Sequence, residues 1–277
     1  MSHFICPICG SELNKSTDGK RLFCVKKHSF DIAKSGYVNL LMSQLPKAGH
    51  HGDDRLMVRS RRDFLNKGYY NPLLEELIKI IKCHAGVGCK ILDAGCGECW
   101  YTSNIYKYLI DNHIKPEMFA VDISKDALAA GAKRNRDIEL AVASAFRLPV
   151  KDSSCDIILS LFAPFSGEEF GRVLKENGVI IRAVPLEKHL LGLKAAVYDN
   201  VYENDTESVD IAGFELLGRR EIREKIHLKC NEDILNIFTM TPYYYKTGAK
   251  DQEKLKSLPE LETKIEFGIN TYRKAGK

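Results

Sequence analysis

Two periods of apolar spacing divide this chain. Over residues 55–67 the apolar positions Leu56, Met57, Phe64 and Leu65 predict a helix carrying Arg59, Arg61 and Arg62, which Gly68-Tyr69-Tyr70-Asn71-Pro72 brings to an end. Residues 73–83 repeat the helical period as an amphipathic segment. Short apolar runs and helical stretches then take turns: strand 89–93, a helix near 98–112, strand 118–122, helix 125–136 and strand 138–143. Residues 155–161 and 178–184 are continuous apolar runs, the pattern of strands covered on both faces. Two late strands, about 213–228 and 262–273 with a helix between them, bring the expected count to seven. The expected fold is therefore α/β, a doubly wound Rossmann-like sheet of seven strands. No internal repeat or low-complexity tract interrupts it.

The first strand of that sheet runs into Ile91-Leu92-Asp93-Ala94-Gly95-Cys96-Gly97-Glu98. An apolar strand ends in an acid and turns through two glycines into a helix, which is how such a sheet builds a nucleotide pocket at its carboxyl edge. Glycine removes the Cβ that would keep a ligand off the backbone. Two glycines by themselves are equally consistent with a tight turn that holds nothing. A dinucleotide fingerprint wants a third glycine three residues after Gly97, where pyrophosphate meets the helix N-terminus; that position is Trp100, and no P-loop lysine follows. Phe119-Ala120-Val121-Asp122 reads as a second strand ending in an acid, 25 residues after Gly97. A carboxylate there can accept both ribose hydroxyl protons, and Ser124 is a fitting N-cap for the next helix. Glu98, Asp122 and the missing phosphate cradle suit S-adenosylmethionine (SAM), a cationic nucleoside without phosphate.

Ahead of the sheet, Cys6-Pro7-Ile8-Cys9-Gly10 is a knuckle of two thiols, followed by Cys24 and, after three intervening residues, His28. Cys6, Cys9, Cys24 and His28 form a three-thiolate, one-imidazole set with the spacing of a tetrahedral zinc site. Four protein ligands leave no position for a catalytic water, so the expected role is structural, and a segment this short needs such a staple. His3 is a competing ligand by type but lies outside the knuckle spacing. Lys15, Lys20, Arg21, Lys26, Lys27 and Lys34 surround the cluster, interleaved with Phe23, Phe30 and Tyr37. Exposed rings among cations can stack on unpaired bases, but Phe23 and Phe30 are expected to be the small core of the zinc module. Cys96 and Cys99 form a second C-x-x-C; its place inside the glycine turn, with no proline or partner residue, argues against thiol exchange.

The 277 residues suit one large domain and one small one. The expected division is a zinc-binding, RNA-recognising segment 1–37, a linker 38–54, and a catalytic domain 55–277. His50 and His51 fall in the linker and read as loop residues rather than ligands. No run of eighteen apolar residues and no export signal is present, so a soluble, intracellular protein without a membrane partner is expected. In that setting the nine cysteines read as thiols or metal ligands rather than disulfides. Residues 1–70 carry 12 Lys/Arg against 6 Asp/Glu, whereas the remaining 207 carry 29 against 31. The basic excess lies wholly ahead of the sheet and points to a polyanionic partner.

Taken together these segments resemble the RlmA-type family of 23S rRNA guanine-N1 methyltransferases, over nearly the whole chain. The resemblance rests on CPICG, the C-x-x-x-H after it, FDIAKSGYVNLL, GDDRLMVRSRRDFLNKGYYNPL, ILDAGCGE, VDISK, VASAFRLPV, FAPF, KHLLGLK and MTPYYYK. It implies a homodimer whose zinc modules grip rRNA, with no role for DNA. The implied target is a guanine in a hairpin lining the peptide exit tunnel, near where macrolides bind. It implies zinc on Cys6, Cys9, Cys24 and His28, and cofactor contacts from Tyr70, Gly97, Glu98 and His189, to which the strand reading adds Asp122. The chain departs from the family at Cys99, where glycine is usual.

The implied chemistry is an in-line displacement by guanine N1, in which orientation supplies much of the acceleration and the N1 proton must also leave. The sequence singles out no base; Glu168, near FAPF, reads equally well as a helix-start residue, so the catalytic residues stay unassigned. Phe162 and Pro164, at the end of the fourth strand, are either the wall on which a flat acceptor lies or part of the core. Alternatives left open are a methyltransferase of the same fold acting on a small molecule or protein, and a non-catalytic zinc-dependent RNA-binding protein.

Overall fold

A computed structural model describes residues 1–42 and 52–276 of the chain; His50 and His51 lie outside the described residues. The N-terminal segment folds as three short antiparallel strands, β1 (Asn14–Lys15), β2 (Arg21–Phe23) and β3 (Ser29–Asp31). A fourth strand, β4 (Tyr37–Asn39), leaves that sheet. Helix α1 (Arg55–Asn66) begins where Asp54 accepts the Met57 N–H at 2.9 Å, and it buries Met57, Val58, Phe64 and Leu65. Gly68, at φ +83°, turns the chain into α2 (Asn71–His84), whose first turn holds Pro72.

The α/β alternation follows as β5 (Lys90–Ala94), α3 (Trp100–Asp111), β6 (Glu117–Asp122), α4 (Lys125–Gly131), β7 (Glu139–Val142), β8 (Cys155–Leu161), α5 (Gly167–Val173), β9 (Leu174–Pro185) and α6 (Leu191–Val197). The long strand β10 (Phe214–Leu228) and α7 (Asn231–Thr239), α8 (Tyr243–Lys246) and α9 (Ala249–Lys256) precede the final strand β11 (Leu261–Lys274). One helix was expected between the late strands; Pro242 and Gly248, the N-caps of α8 and α9, divide that stretch into three. The helix expected over 125–136 ends at Gly131, and Arg134 turns back to reach Glu98 and Asn66.

The sheet order is β10-β11-β9-β8-β5-β6-β7-β4, with β11 antiparallel to both neighbours and β4 through β9 parallel. The sheet therefore has eight strands among the described residues rather than seven. The extra one is β4, paired in parallel to β7 through Tyr37↔Leu140, Val38↔Ala141 and Asn39↔Val142. Residues 38 and 39, placed in the linker by sequence, are thus part of the sheet.

Strand alternation explains the core. Ile91, Ala120, Ile157, Leu159 and Ile181 join the cluster under the helices, while their neighbours Leu92, Phe119, Val121, Ile158 and Ile180 face the other side. That second face is covered by Phe170 and Val173 of α5 and by Phe4, Leu13, Leu22 and Val38 of the N-terminal segment. Phe4 is fully buried and meets Phe119 edge-on at 5.7 Å, while His3 stacks on the same ring at 5.0 Å. The His3 ring nitrogens pair with Glu139 and Glu117 at 3.0 and 3.1 Å, which raises the His3 pKa. His3 is therefore a clasp to β6 and β7, away from the thiols.

The expected core of the zinc module is different in kind. Leu22 points inward from β2, so its neighbours Arg21 and Phe23 point out, and Phe23 is 42% exposed. Phe30 is only partly buried against the shared core. The module has no private core; its apolar residues belong to the sheet's second face. Phe4→Ala should therefore cost about 3–5 kcal/mol. Urea unfolding should show that loss in a single transition, because the module and the sheet share the cluster.

Candidate functional site

Cys6, Cys9, Cys24 and His28 converge with their ligand atoms all within 4.8 Å of one another. His28 Nδ1 lies 3.4 Å from both Cys6 Sγ and Cys24 Sγ, and Cys9 Sγ lies 3.7 Å from Cys24 Sγ. A zinc ion with Zn–S about 2.3 Å and Zn–N about 2.0 Å has tetrahedral edges of about 3.8 Å (S···S) and about 3.5 Å (S···N). The donor set fits a four-coordinate structural zinc in both chemistry and spacing. The turn that brings the thiols together closes through Gly10, at φ +71°, whose N–H donates to the Cys6 carbonyl. The Ser11 hydroxyl beside Cys9, 3.4 Å from its Sγ, helps push that thiol down to about 6, toward the thiolate that a metal requires. Outside the cluster, Arg21, Phe23, Val25 and Lys27 line a shallow hollow on the module's surface.

At the carboxyl end of β5 the two glycines do different things. A Cβ on Gly95 would sit 2.3 Å from the Ala163 Cβ, so Gly95 makes room for the loop after β8. A Cβ on Gly97 would meet only Arg61 Nη1, at 3.7 Å, so Gly97 is the glycine that opens onto the pocket. The Gly97 N–H and the Ser124 N–H each donate to the Asp122 carboxylate at 2.8 Å, one to each oxygen. Each oxygen keeps a lone pair for a further donor, as a ribose diol would supply. Burial raises the Asp122 pKa against these hydrogen bonds and the nearby Arg61. Asp93, at the end of β5, accepts the Thr102 hydroxyl at 2.6 Å; burial pushes it up to about 7, and its Oδ1 has no partner. Glu98 is buried on Arg134, with Oε1 left unpaired. Trp100 occupies the first turn of α3, edge-on to Tyr101 at 4.9 Å, and is buried in the core under the helices.

Cys99, the departure from glycine, has a local explanation. It stands at φ +61°, a backbone region that favours glycine, and its side chain is buried over α4. A Cβ on Gly131 would lie 2.7 Å from Cys99 Sγ and 3.1 Å from its Cβ. Gly131 has no positive φ of its own, so its small size answers Cys99. The Cys96 and Cys99 sulfurs are 3.6 Å apart, and burial raises the Cys96 thiol well above its usual value, away from an activated thiolate.

The structure brings Tyr70 and His189 together although 119 residues separate them: Tyr70 Oη is 3.3 Å from His189 Nε2. The Glu266 N–H donates to His189 Nδ1 at 3.1 Å, so the neutral ring carries its proton on Nε2 and offers it to Tyr70. Tyr70 is then free to donate its own proton into the cleft. Burial, with Lys194 adding repulsion, pushes His189 down to about 3, and burial raises Tyr70 strongly. Phe267 packs against both rings at 4.9 and 4.7 Å. It also meets Phe162 at 5.5 Å, and Phe162 lies 6.4 Å from Tyr101. Phe162 is 44% exposed at φ +56°, so its ring lies at the surface beside Tyr101 and Phe267 and not in the core. Residue patterns alone missed Phe267 and Tyr101, which read as ordinary strand and helix positions. They also missed the inward turn of Arg61, whose helix looked uniformly basic. The glycine cradle, the half-used Asp122 oxygens and the unpartnered Glu98 Oε1 and Tyr101 Oη fit a polar nucleoside cofactor such as SAM.

Comparisons with known proteins find relatives of both parts of the chain. Residues 4–47 match the zinc-ribbon family described as RlmA, N-terminal, and residues 91–178 match the family described as Methyltransferase domain. A Bacillus subtilis (strain 168) protein provisionally named 23S rRNA (guanine-N(1)-)-methyltransferase YxjB is 28% identical over 97% of this chain and 96% of its own. A Micromonospora griseorubida protein with the same provisional activity is 32% identical, covering 70% of this chain and 69% of that one. The Streptomyces fradiae 23S rRNA (guanine(748)-N(1))-methyltransferase is 31% identical over 69% of this chain and 66% of its own.

Two measurements check the packing and the buried imidazole. Gly131→Ala should destabilise the protein by about 1–3 kcal/mol through overpacking on Cys99. In a Cys99→Gly background the same change should cost less, because only the 3.2 Å approach to the Glu98 backbone carbon remains, and chemical denaturation of the four variants reads that coupling. His189, near 3 when folded and 6.5 when unfolded, supplies stability that is full above about pH 6.5 and lost as the pH falls toward 3. The stability difference between wild type and His189→Gln should shrink by about 3–5 kcal/mol across that window.

Proposed function

The chain belongs to the RlmA-type family of 23S rRNA (guanine-N1)-methyltransferases, and from that premise we propose that it methylates N1 of a guanine in a 23S rRNA hairpin lining the peptide exit tunnel. The observation that carries this reading is a zinc ribbon of RlmA type built into the same sheet as a methyltransferase pocket. Cys6, Cys9, Cys24 and His28 hold the structural zinc; Tyr70, Gly97, Glu98, Asp122 and His189 hold SAM. When bound, SAM supplies an electrophilic methyl group on a sulfonium. The chain's own part is to orient and to exclude water: Asp122 fixes the ribose, Gly97 lets the ligand approach the backbone, and the Tyr70–His189 pair presents a hydroxyl donor. Phe162, with Tyr101 and Phe267 behind it, offers a flat ring to an extruded base.

In this reading residues 1–37 grip RNA through Arg21, Phe23 and Lys27, residues 38–54 connect, and residues 55–277 carry the chemistry, in a homodimer. Methylation near the region where macrolides bind would alter sensitivity to them. Mass mapping of large-subunit rRNA from cells with and without the gene tests the proposal. One guanine methylation should disappear with the gene and return with the wild-type chain, and return more slowly with Phe162→Ala, whose turnover should fall about 5- to 150-fold from lost stacking worth about 1–3 kcal/mol. An unchanged set of guanine methylations would overturn it.

A further inference from the structure

We infer that Arg61 anchors the carboxylate of the cofactor's amino-acid tail, with the Tyr101 hydroxyl as a second donor to the same group. The inference rests on the SAM reading of the pocket and assigns a task that reading leaves open. SAM carries a sulfonium and an ammonium, which suit the acids Asp93, Glu98 and Asp122, but it also carries a carboxylate, which those acids repel. A carboxylate needs a cation and hydroxyl or amide donors.

Four arginines lie along α1, and only one turns toward the pocket; Arg55, 90% exposed, pairs with Asp126. The Arg59 side chain is 75% exposed and Arg62 47%, both beside Asp63, whereas Arg61 at 28% reaches inward. Its Nη1 stands 3.7 Å from the position a Cβ on Gly97 would take, directly over the open glycine. Asp122, Glu98, Tyr101 and Tyr70 all lie within electrostatic reach of its guanidinium.

The guanidinium is held in place and still has capacity. Nη1 donates to Asp53, and Nη2 donates to the Met240 carbonyl at 3.0 Å. A guanidinium has five N–H donors in a rigid fork, so donors remain for a ligand. That Asp53, a carboxylate, sits on this guanidinium shows which group the position accepts. The neighbouring Tyr101 Oη is buried without a hydrogen-bond partner, which a ligand carboxylate would relieve.

Calorimetric titration with S-adenosylhomocysteine and with 5′-methylthioadenosine separates the tail from the nucleoside, because the second ligand lacks the amino acid. Arg61→Gln should weaken S-adenosylhomocysteine about 10- to 100-fold, the range of a charged hydrogen-bonded pair. Its affinity for methylthioadenosine should stay within about twofold. Arg61→Lys keeps the charge and loses the fork, so it should fall between wild type and Gln, and it carries the test if the Gln variant does not fold. Tyr101→Phe should weaken S-adenosylhomocysteine alone, by a smaller factor. Unchanged S-adenosylhomocysteine binding in the Arg61 variants, or an equal loss for both ligands, would overturn the inference. A wild-type chain that binds neither ligand would instead sink the SAM reading beneath it.

Discussion

A parallel sheet has to be covered on both faces, and in this protein the zinc-binding segment supplies part of one cover. Leu92, Phe119, Val121 and Ala141 point away from the face that α2 and α3 cover, and Phe4, Leu13, Leu22 and Val38 meet them beside α5. Without those residues the face under β6 and β7 would expose large apolar side chains next to the strand that ends in Asp122. The ribbon's own apolar residues are equally dependent, since they have no separate core to bury themselves in. Metal ligation and sheet burial thus stabilise one another across the seam closed by His3 and β4. The seam also holds the ribbon's outward face, with Arg21, Phe23 and Lys27, at a set position on the sheet that carries the pocket.

That arrangement was only half visible in the sequence. The strands 155–161 and 118–122 and the helices 55–67 and 73–83 stood out because long apolar periods leave few alternatives, and the zinc ligands stood out because thiol spacing is chemically restrictive. Strand β4 did not, since Tyr37-Val38-Asn39 is too short to show alternation and is defined by its partner β7. The orientation of Phe23 was equally hidden: an aromatic next to a metal ligand looks like core until the pleat of β2 assigns the inner position to Leu22. The breaks in the last helical stretch fall at Pro242 and Gly248, which cap α8 and α9.

The site divides in the same way. Gly97 and Asp122 follow from a strand–turn–helix pattern that is local, and their hydrogen bond closes the turn across 25 residues. Tyr70 and His189 came only from the family's motifs, because the contact that joins them spans 119 residues. Arg61 was read as one of three equivalent basic residues. A helix step of about 100° separates neighbouring directions, and no pattern on the helix alone tells which direction meets a pocket. Cys99 looked like a misfit because the compensating residue, Gly131, sits on the next helix and is unremarkable there.

The loop that carries Phe162 is tied to the first glycine turn by a single close approach. A bulky residue at φ +56° costs about 1–2 kcal/mol relative to the right-handed or extended regions. The conformation persists because its surroundings over-determine it. The Phe162 N–H donates to the Ala183 carbonyl at 3.0 Å, and the next residue, Ala163, presses into the space where Gly95 has no Cβ. Gly95 therefore serves the wall of the cleft, while Gly97, two residues on, serves the pocket beneath it. A side chain at Gly95, itself at φ +96°, would strain the turn and push Ala163 away, carrying the Phe162 ring with it relative to Tyr101 and Phe267. The Gly97 turn and the Phe162 loop are thus coupled through Gly95, whose positive φ and missing Cβ set how closely the two approach.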